Sequence, residues 1–184
     1  MTAPLSDALL DAVLARIDFT AERPVQQFVA RLAEALERPI RLHPVAFAGD
    51  LVSGAWLQGR SGAAHILYEA QSPAIHQAAI ILHECAHILV GHETLEIDDS
   101  TETALQAVLA LFAAEDTPLL MEARLRGVPD DADPLAYLTA LERETEALGQ
   151  RLYRLIAGRI SAQALAQARA SEPVWNNLAQ ALRF

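Results

Sequence analysis

The sequence predicts an α+β fold, mainly helical, in which a small three-stranded antiparallel sheet lies beside a helix carrying His-Glu-x-x-His. Three observations predict it. The 184 residues are 52% hydrophobic and rich in Ala and Leu, a composition that folds and favours helices. Apolar residues recur at spacings of three and four before residue 38 and after residue 73. Between these stretches, from Ile40 to Ala70, short β-branched and aromatic runs alternate with turns rich in Gly and Ser.

In order, Leu5, Leu9, Val13 and Ile17, with Asp7, Asp11 and Arg16 between them, define a first amphipathic helix. A second runs from about Arg23 to Glu37. Pro24 suits its first turn, Val25, Phe28, Leu32 and Leu36 form its inner side, and it stops before Pro39. The strands are Ile40-Arg41-Leu42 leading into Val45-Ala46-Phe47, then Ala55-Trp56-Leu57, then His65-Ile66-Leu67-Tyr68. The last, over residues 63–69, runs into the motif helix and is a candidate to hold an extended peptide by main-chain hydrogen bonds.

Ser72 and Pro73 suit the N-cap and first residue of the motif helix, and Gly91 suits its end. Ile75, Ala78, Ala79, Leu82, Cys85, Ala86 and Leu89 give it a wide apolar face. An acidic loop follows with His92, Glu93, Glu96, Asp98 and Asp99. Thr103 to Ala114 is an apolar helix, and Pro118, Gly127, Pro129 and Pro134 break the mixed segment after it. A longer helix then runs from near Asp133 to about Ile160, burying Leu135, Leu138, Leu141, Leu148, Leu152, Leu155 and Ile156. We expect one domain over residues 1–160, N-terminal helices included. A C-terminal helical tail, packed on this domain or extending from it, follows over 161–184, with Trp175, Leu178 and Leu182 aligned.

Composition excludes several classes. A net charge of −10 argues against a chain that itself tracks a nucleic-acid backbone. The N-terminus lacks the basic start and unbroken apolar region of a signal peptide, and the longest apolar stretch, Ala104 to Ala114, is too short to span a bilayer. A single cysteine, Cys85, precludes an internal disulfide framework and fits a reducing compartment. The expected location is cytoplasmic, with no membrane partner.

The chemistry concentrates in Ile80-Ile81-Leu82-His83-Glu84-Cys85-Ala86-His87-Ile88-Leu89-Val90-Gly91-His92. Residues four apart share a helix face, so His83 and His87 can present both imidazoles to one point. That pair suits Zn²⁺, which binds neutral imidazole nitrogen and in catalytic sites keeps a position for water. Glu84 lies to one side, where a carboxylate can accept a proton from that water. Two imidazoles and a carboxylate in a core helix are costly to bury without a shared purpose. Cys85, within the same turn, reads as a small buried hydrophobe.

A third ligand must come from elsewhere. His92 is out of register with the metzincin pattern, whose Gly and third His fall seven and ten residues after the first His; here those positions hold Val90 and Glu93. The remaining source is a Glu on a later helix, and the densest run is Glu142-Arg143-Glu144-Thr145-Glu146. Glu142 shares a side with Leu138, Thr145 and Gly149, residues compact or apolar enough to admit another helix, and is favoured as the ligand. Glu146, one turn on, and Glu144, toward Leu148 and Arg151, remain alternatives.

The sheet-then-helix order, Tyr68-Glu69-Ala70, His83-Glu84-Cys85-Ala86-His87 with Gly91-His92, and the downstream Glu142 to Gly149 segment resemble the ImmA/IrrE family of zinc metallopeptidases. The resemblance covers residues 40–92 and 135–156. Cys85-Ala86 stands where that family usually has Leu-Gly, and the long interval before the Glu helix is similar to that of actinobacterial-type members. The resemblance implies a gluzincin-like set of His83, His87 and Glu142 around Zn²⁺, with Thr145 at an Ala position and Glu146 at an acidic one. It implies an endopeptidase that cuts a helix-turn-helix transcriptional repressor in a stress response. Tyr68, Tyr137, Tyr153 and His65 are candidates for the oxyanion donor. Two other readings compete. One is an inactive interaction module or toxin–antitoxin partner acting through Trp175 and the acidic surface; the other is a purely structural zinc site.

Overall fold

A computed structural model describes residues 7–18, 23–47, 53–113 and 134–170, with the side chains of Asp7, 134–139 and 163–170 left aside. The element order is α1 (Asp7–Leu14), α2 (Pro24–Ala35), β1 (Ile40–Val45), β2 (Gly54–Gly59), β3 (Ala64–Glu69), α3 (Ala74–Val90), β4 (Glu96–Ile97), α4 (Glu102–Ala113) and α5 (Pro134–Ala170).

The protein is α+β, but its sheet is not the three-stranded antiparallel one expected. It has four strands in the order β1-β3-β2-β4. β2 and β3 form the one antiparallel pair, with Trp56 opposite Ile66, whereas β1–β3 and β2–β4 are parallel. The tight turn between β2 and β3 fixes their pairing: Gly59 N donates to Ala63 O, and Gly62 takes φ 91. β1 joins the free side of β3 rather than β2, a choice that strand patterns do not encode. β4 escaped notice because two residues carry no periodicity. β3 is paired on both sides, so it has no free edge for a peptide, contrary to the expectation for residues 63–69.

Both faces of the sheet are covered. Trp56, Ala64 and Ile66 pack with Val13, Leu14, Phe28, Leu32, Ile81, Leu82, Cys85, Leu152 and Ile156, from α1, α2, α3 and α5. Val45, Leu57 and Leu67 pack on the other side with Leu95, Ile97, Leu105 and Phe112, from the β4 region and α4. This is why β3 reads as a continuous apolar run rather than alternating. Burial of each large side chain contributes about 1.5–3 kcal/mol. Cys85 is fully buried, and burial, then the nearby Glu84, pushes its thiol pKa far up; it is a core residue.

α3 begins one residue later than expected. Pro73 is its N-cap, without a side-chain bond, while Gln77 Nε2 ties back to the carbonyls of Ala70 (3.0 Å) and Ser72 (2.9 Å). It ends as expected at Gly91, in the left-handed conformation (φ 81). α5 lies along α3 and continues unbroken through Ala170, past the boundary expected near residue 160. The Ala- and Gln-rich sequence there contains no stop signal. Trp175 and the rest of the expected tail fall outside the described residues.

Candidate metal centre

His83 and Glu84 are consecutive on α3 and therefore face different neighbours. His83 faces α5. There Gly149 lets the helices approach so closely that a Cβ at 149 would lie 3.2 Å from His83 Cα. Glu84 faces the sheet, 6% exposed, beside Gly54 of β2, where a Cβ would lie 2.9 Å from Glu84 Oε1. Two glycines thus clear the space around the motif, one for each face.

The approach of α5 brings Glu142 to the imidazole pair. Its Oε2 lies 3.3 Å from His83 Nε2 and 3.8 Å from His87 Nε2, and the two Nε2 atoms are 3.2 Å apart. His83, His87 and Glu142 are the group among the described residues with three ligand atoms mutually close enough to share a metal ion. Zinc–ligand bonds of about 2.0–2.1 Å place neighbouring donors of a tetrahedron roughly 3.3 Å apart. The observed separations fit such a face, with neutral imidazole and carboxylate as donors.

Geometry separates the three glutamates. Glu142 addresses the nitrogens that His83 and His87 share. Glu146 sits instead at the other nitrogen of His83, Oε2 to Nδ1 at 3.3 Å, and Glu144 is exposed. Burial alone would lower the His83 pKa. The hydrogen bond that His83 donates to Glu142 and the charges of Glu84, Glu142 and Glu146 outweigh it, and the pKa is raised.

His92, rejected as a ligand on register, folds back onto His87 rather than onto the metal position. Their Nδ1 atoms are 2.8 Å apart, and Thr145 Oγ1, fully buried on α5, is 3.3 Å from His92 Nδ1. Burial pushes the His92 pKa down, with Glu144 and Glu142 opposing. Sequence reasoning did not foresee this layer. Its signal was Gly91-His92 itself, since a left-handed helix end reverses the chain.

The oxyanion candidates separate in space. Tyr153 lines a groove of about 440 Å³ between α3 and α5, together with Ile75, Ala79, His83, Glu146 and Gly149. Ile75, expected on the buried face, is 58% exposed there. Tyr68 lies in an adjoining cavity whose lining includes Tyr153 but not His83. His65 is not brought to the site. Register pairs it with Leu57, on the α4 face of the sheet, where it is fully buried between His43 Nε2 (3.0 Å) and Asp99 Oδ2 (3.0 Å). The period-two alternation of β3 sends it away from α3. The side chain of Tyr137 is outside those described.

No helix among the described residues is long and apolar enough to cross a membrane. Compared with protein-family models, curated proteins and solved structures, the chain gives no significant match.

Proposed function

We propose that the protein is a zinc-dependent metallo-endopeptidase of the ImmA/IrrE type that hydrolyses a peptide bond in a helix-turn-helix repressor. One observation carries the catalytic part: Glu142 of α5 closes on the Nε2 atoms of His83 and His87, while the charge of the buried Glu84 reaches His83. The repressor as substrate rests on the sequence resemblance.

Held by His83, His87 and Glu142, Zn²⁺ would supply Lewis acidity, lowering the pKa of water and polarising a carbonyl. Glu84 accepts the proton of the attacking water and returns it to the leaving amine. Its burial beside Gly54 keeps bulk water from competing for that proton. The Tyr153 hydroxyl, on the groove that includes His83, is the candidate donor to the developing oxyanion. Ile75, Ala79 and Gly149 offer an apolar wall to a substrate side chain.

The test is incubation of the zinc-loaded protein with helix-turn-helix repressors from the same genome, read by mass spectrometry of the products. Cleavage that disappears in Glu84→Gln, with zinc retained, supports the reading. Equal cleavage by wild type and Glu84→Gln removes it.

A further inference from the structure

An imidazole that ligates a metal through one nitrogen must carry its proton on the other, and that N–H needs an acceptor. His83 and His87 both turn Nε2 toward Glu142, so the question falls on their Nδ1 atoms. For His83 the acceptor is Glu146 Oε2 at 3.3 Å. For His87 it is another imidazole, His92, whose Nδ1 is 2.8 Å away.

We propose that His92 is a positioning residue that sets the tautomer and ring orientation of His87, a role that rests on the metal reading above. His87 Nδ1–H donates and His92 Nδ1 accepts, which puts the His92 proton on Nε2. The opposite arrangement, a proton on His92 Nδ1, would drive the proton of His87 onto Nε2 and remove it as a ligand. Of the two contacts at His92 Nδ1, that with His87 is the shorter, 2.8 Å against 3.3 Å to Thr145 Oγ1, whose hydroxyl is committed to Leu141 O at 2.8 Å, so the His92 nitrogen is assigned to the His87 N–H.

The backbone builds this contact. At Gly91, φ 81 ends α3, and the amides of Gly91 and His92 both donate to His87 O at 3.1 Å. The side chain five residues on is thereby returned over the ring it serves. His92 Nε2 is buried and has no hydrogen-bond partner among the described residues, so the ring is held by its Nδ1 contacts and packing. Glu146 serves the same purpose for His83 from a more exposed position, its side chain 57% accessible. Loss of His92 therefore costs more than loss of Glu146.

The experiment measures zinc affinity by chelator competition in wild type, His92→Leu, His92→Gln and Glu146→Leu. Thermal unfolding of each metal-free protein checks folding. His92→Leu should bind zinc about 10–100-fold more weakly. His92→Gln, whose amide oxygen can accept the same proton, should recover most of the loss, and Glu146→Leu should lose less than His92→Leu. Long-range ¹⁵N–¹H spectra of the wild type add a readout independent of any variant: His87 should carry its proton on Nδ1 and His92 on Nε2. Wild-type affinity in a folded His92→Leu, or a proton on His92 Nδ1, overturns the proposal. A wild type that binds no zinc overturns the metal reading itself, and this role with it.

Discussion

Gly149 of α5 lies against the backbone of His83, so that a Cβ at 149 would stand 3.2 Å from His83 Cα. This close approach sets the reach of Glu142, two turns earlier on the same helix, to the imidazole pair. The spacing of the three candidate ligands is therefore a consequence of helix packing as much as of the side chains themselves.

Gly149→Ala should separate α3 and α5 by a few tenths of an ångström. Helix propensity gains about 1 kcal/mol from this change, which offsets the steric cost and leaves stability near that of wild type. Zinc affinity should nevertheless fall. Gly149→Val should lower both, stability by about 1–3 kcal/mol. Chemical denaturation and chelator competition on the same samples check the pair.

Much of this packing was legible in sequence. His83, Glu84 and His87 follow from helix periodicity alone, and Gly149 shares the side of α5 that carries Glu142 and Thr145. The choice among Glu142, Glu144 and Glu146 was less so, because each lies within a helical turn of the next. In the fold, α5 puts Glu142 on the Nε2 side that the two imidazoles share and Glu146 on His83 Nδ1. The sheet order was not legible, since β1 could join either edge of a β2–β3 hairpin. Nor was the inward turn of His65, which depended on which strand alternation faced α4.

Zinc binding should weaken on acidification at a higher pH than an ordinary imidazole would give. His83 has a raised pKa, above 6.5, in the metal-free protein, and its proton competes with the ion. For the metal-free fold the sign is opposite. Protonated His83 contributes stability that is complete below the unfolded pKa and lost as pH rises through the folded value. Glu146→Gln removes one of the raising charges and should move both midpoints downward. Zinc affinity and metal-free unfolding, each measured from pH 5 to 9, test the signs.

Asp99 should be a structural anchor with an acid-dependent effect. Its carboxylate accepts from Ser61 Oγ, Ser61 N (2.9 Å) and His65 Nε2 (3.0 Å), joining the β2–β3 turn to the segment after β4. The Ser61 hydroxyl first, then its amide and His65, hold the carboxyl well below its usual range against the opposing effect of burial. Stability from Asp99 is present above the unfolded value near 3.8 and is lost as pH falls through the lower folded one. Asp99→Ala should destabilise by about 2–4 kcal/mol at neutral pH by leaving these donors unsatisfied. The difference from wild type should shrink as the solution is acidified below pH 4, which urea titrations across that range would reveal.

The central claim is that a carboxylate from α5 completes a metal site on α3. Metal content after dialysis against buffered zinc, compared in wild type, Glu142→Ala and Glu144→Ala, tests it most directly. We expect one equivalent in wild type and in Glu144→Ala, and near-complete loss in Glu142→Ala with its fold intact. Undiminished zinc in Glu142→Ala would contradict the account.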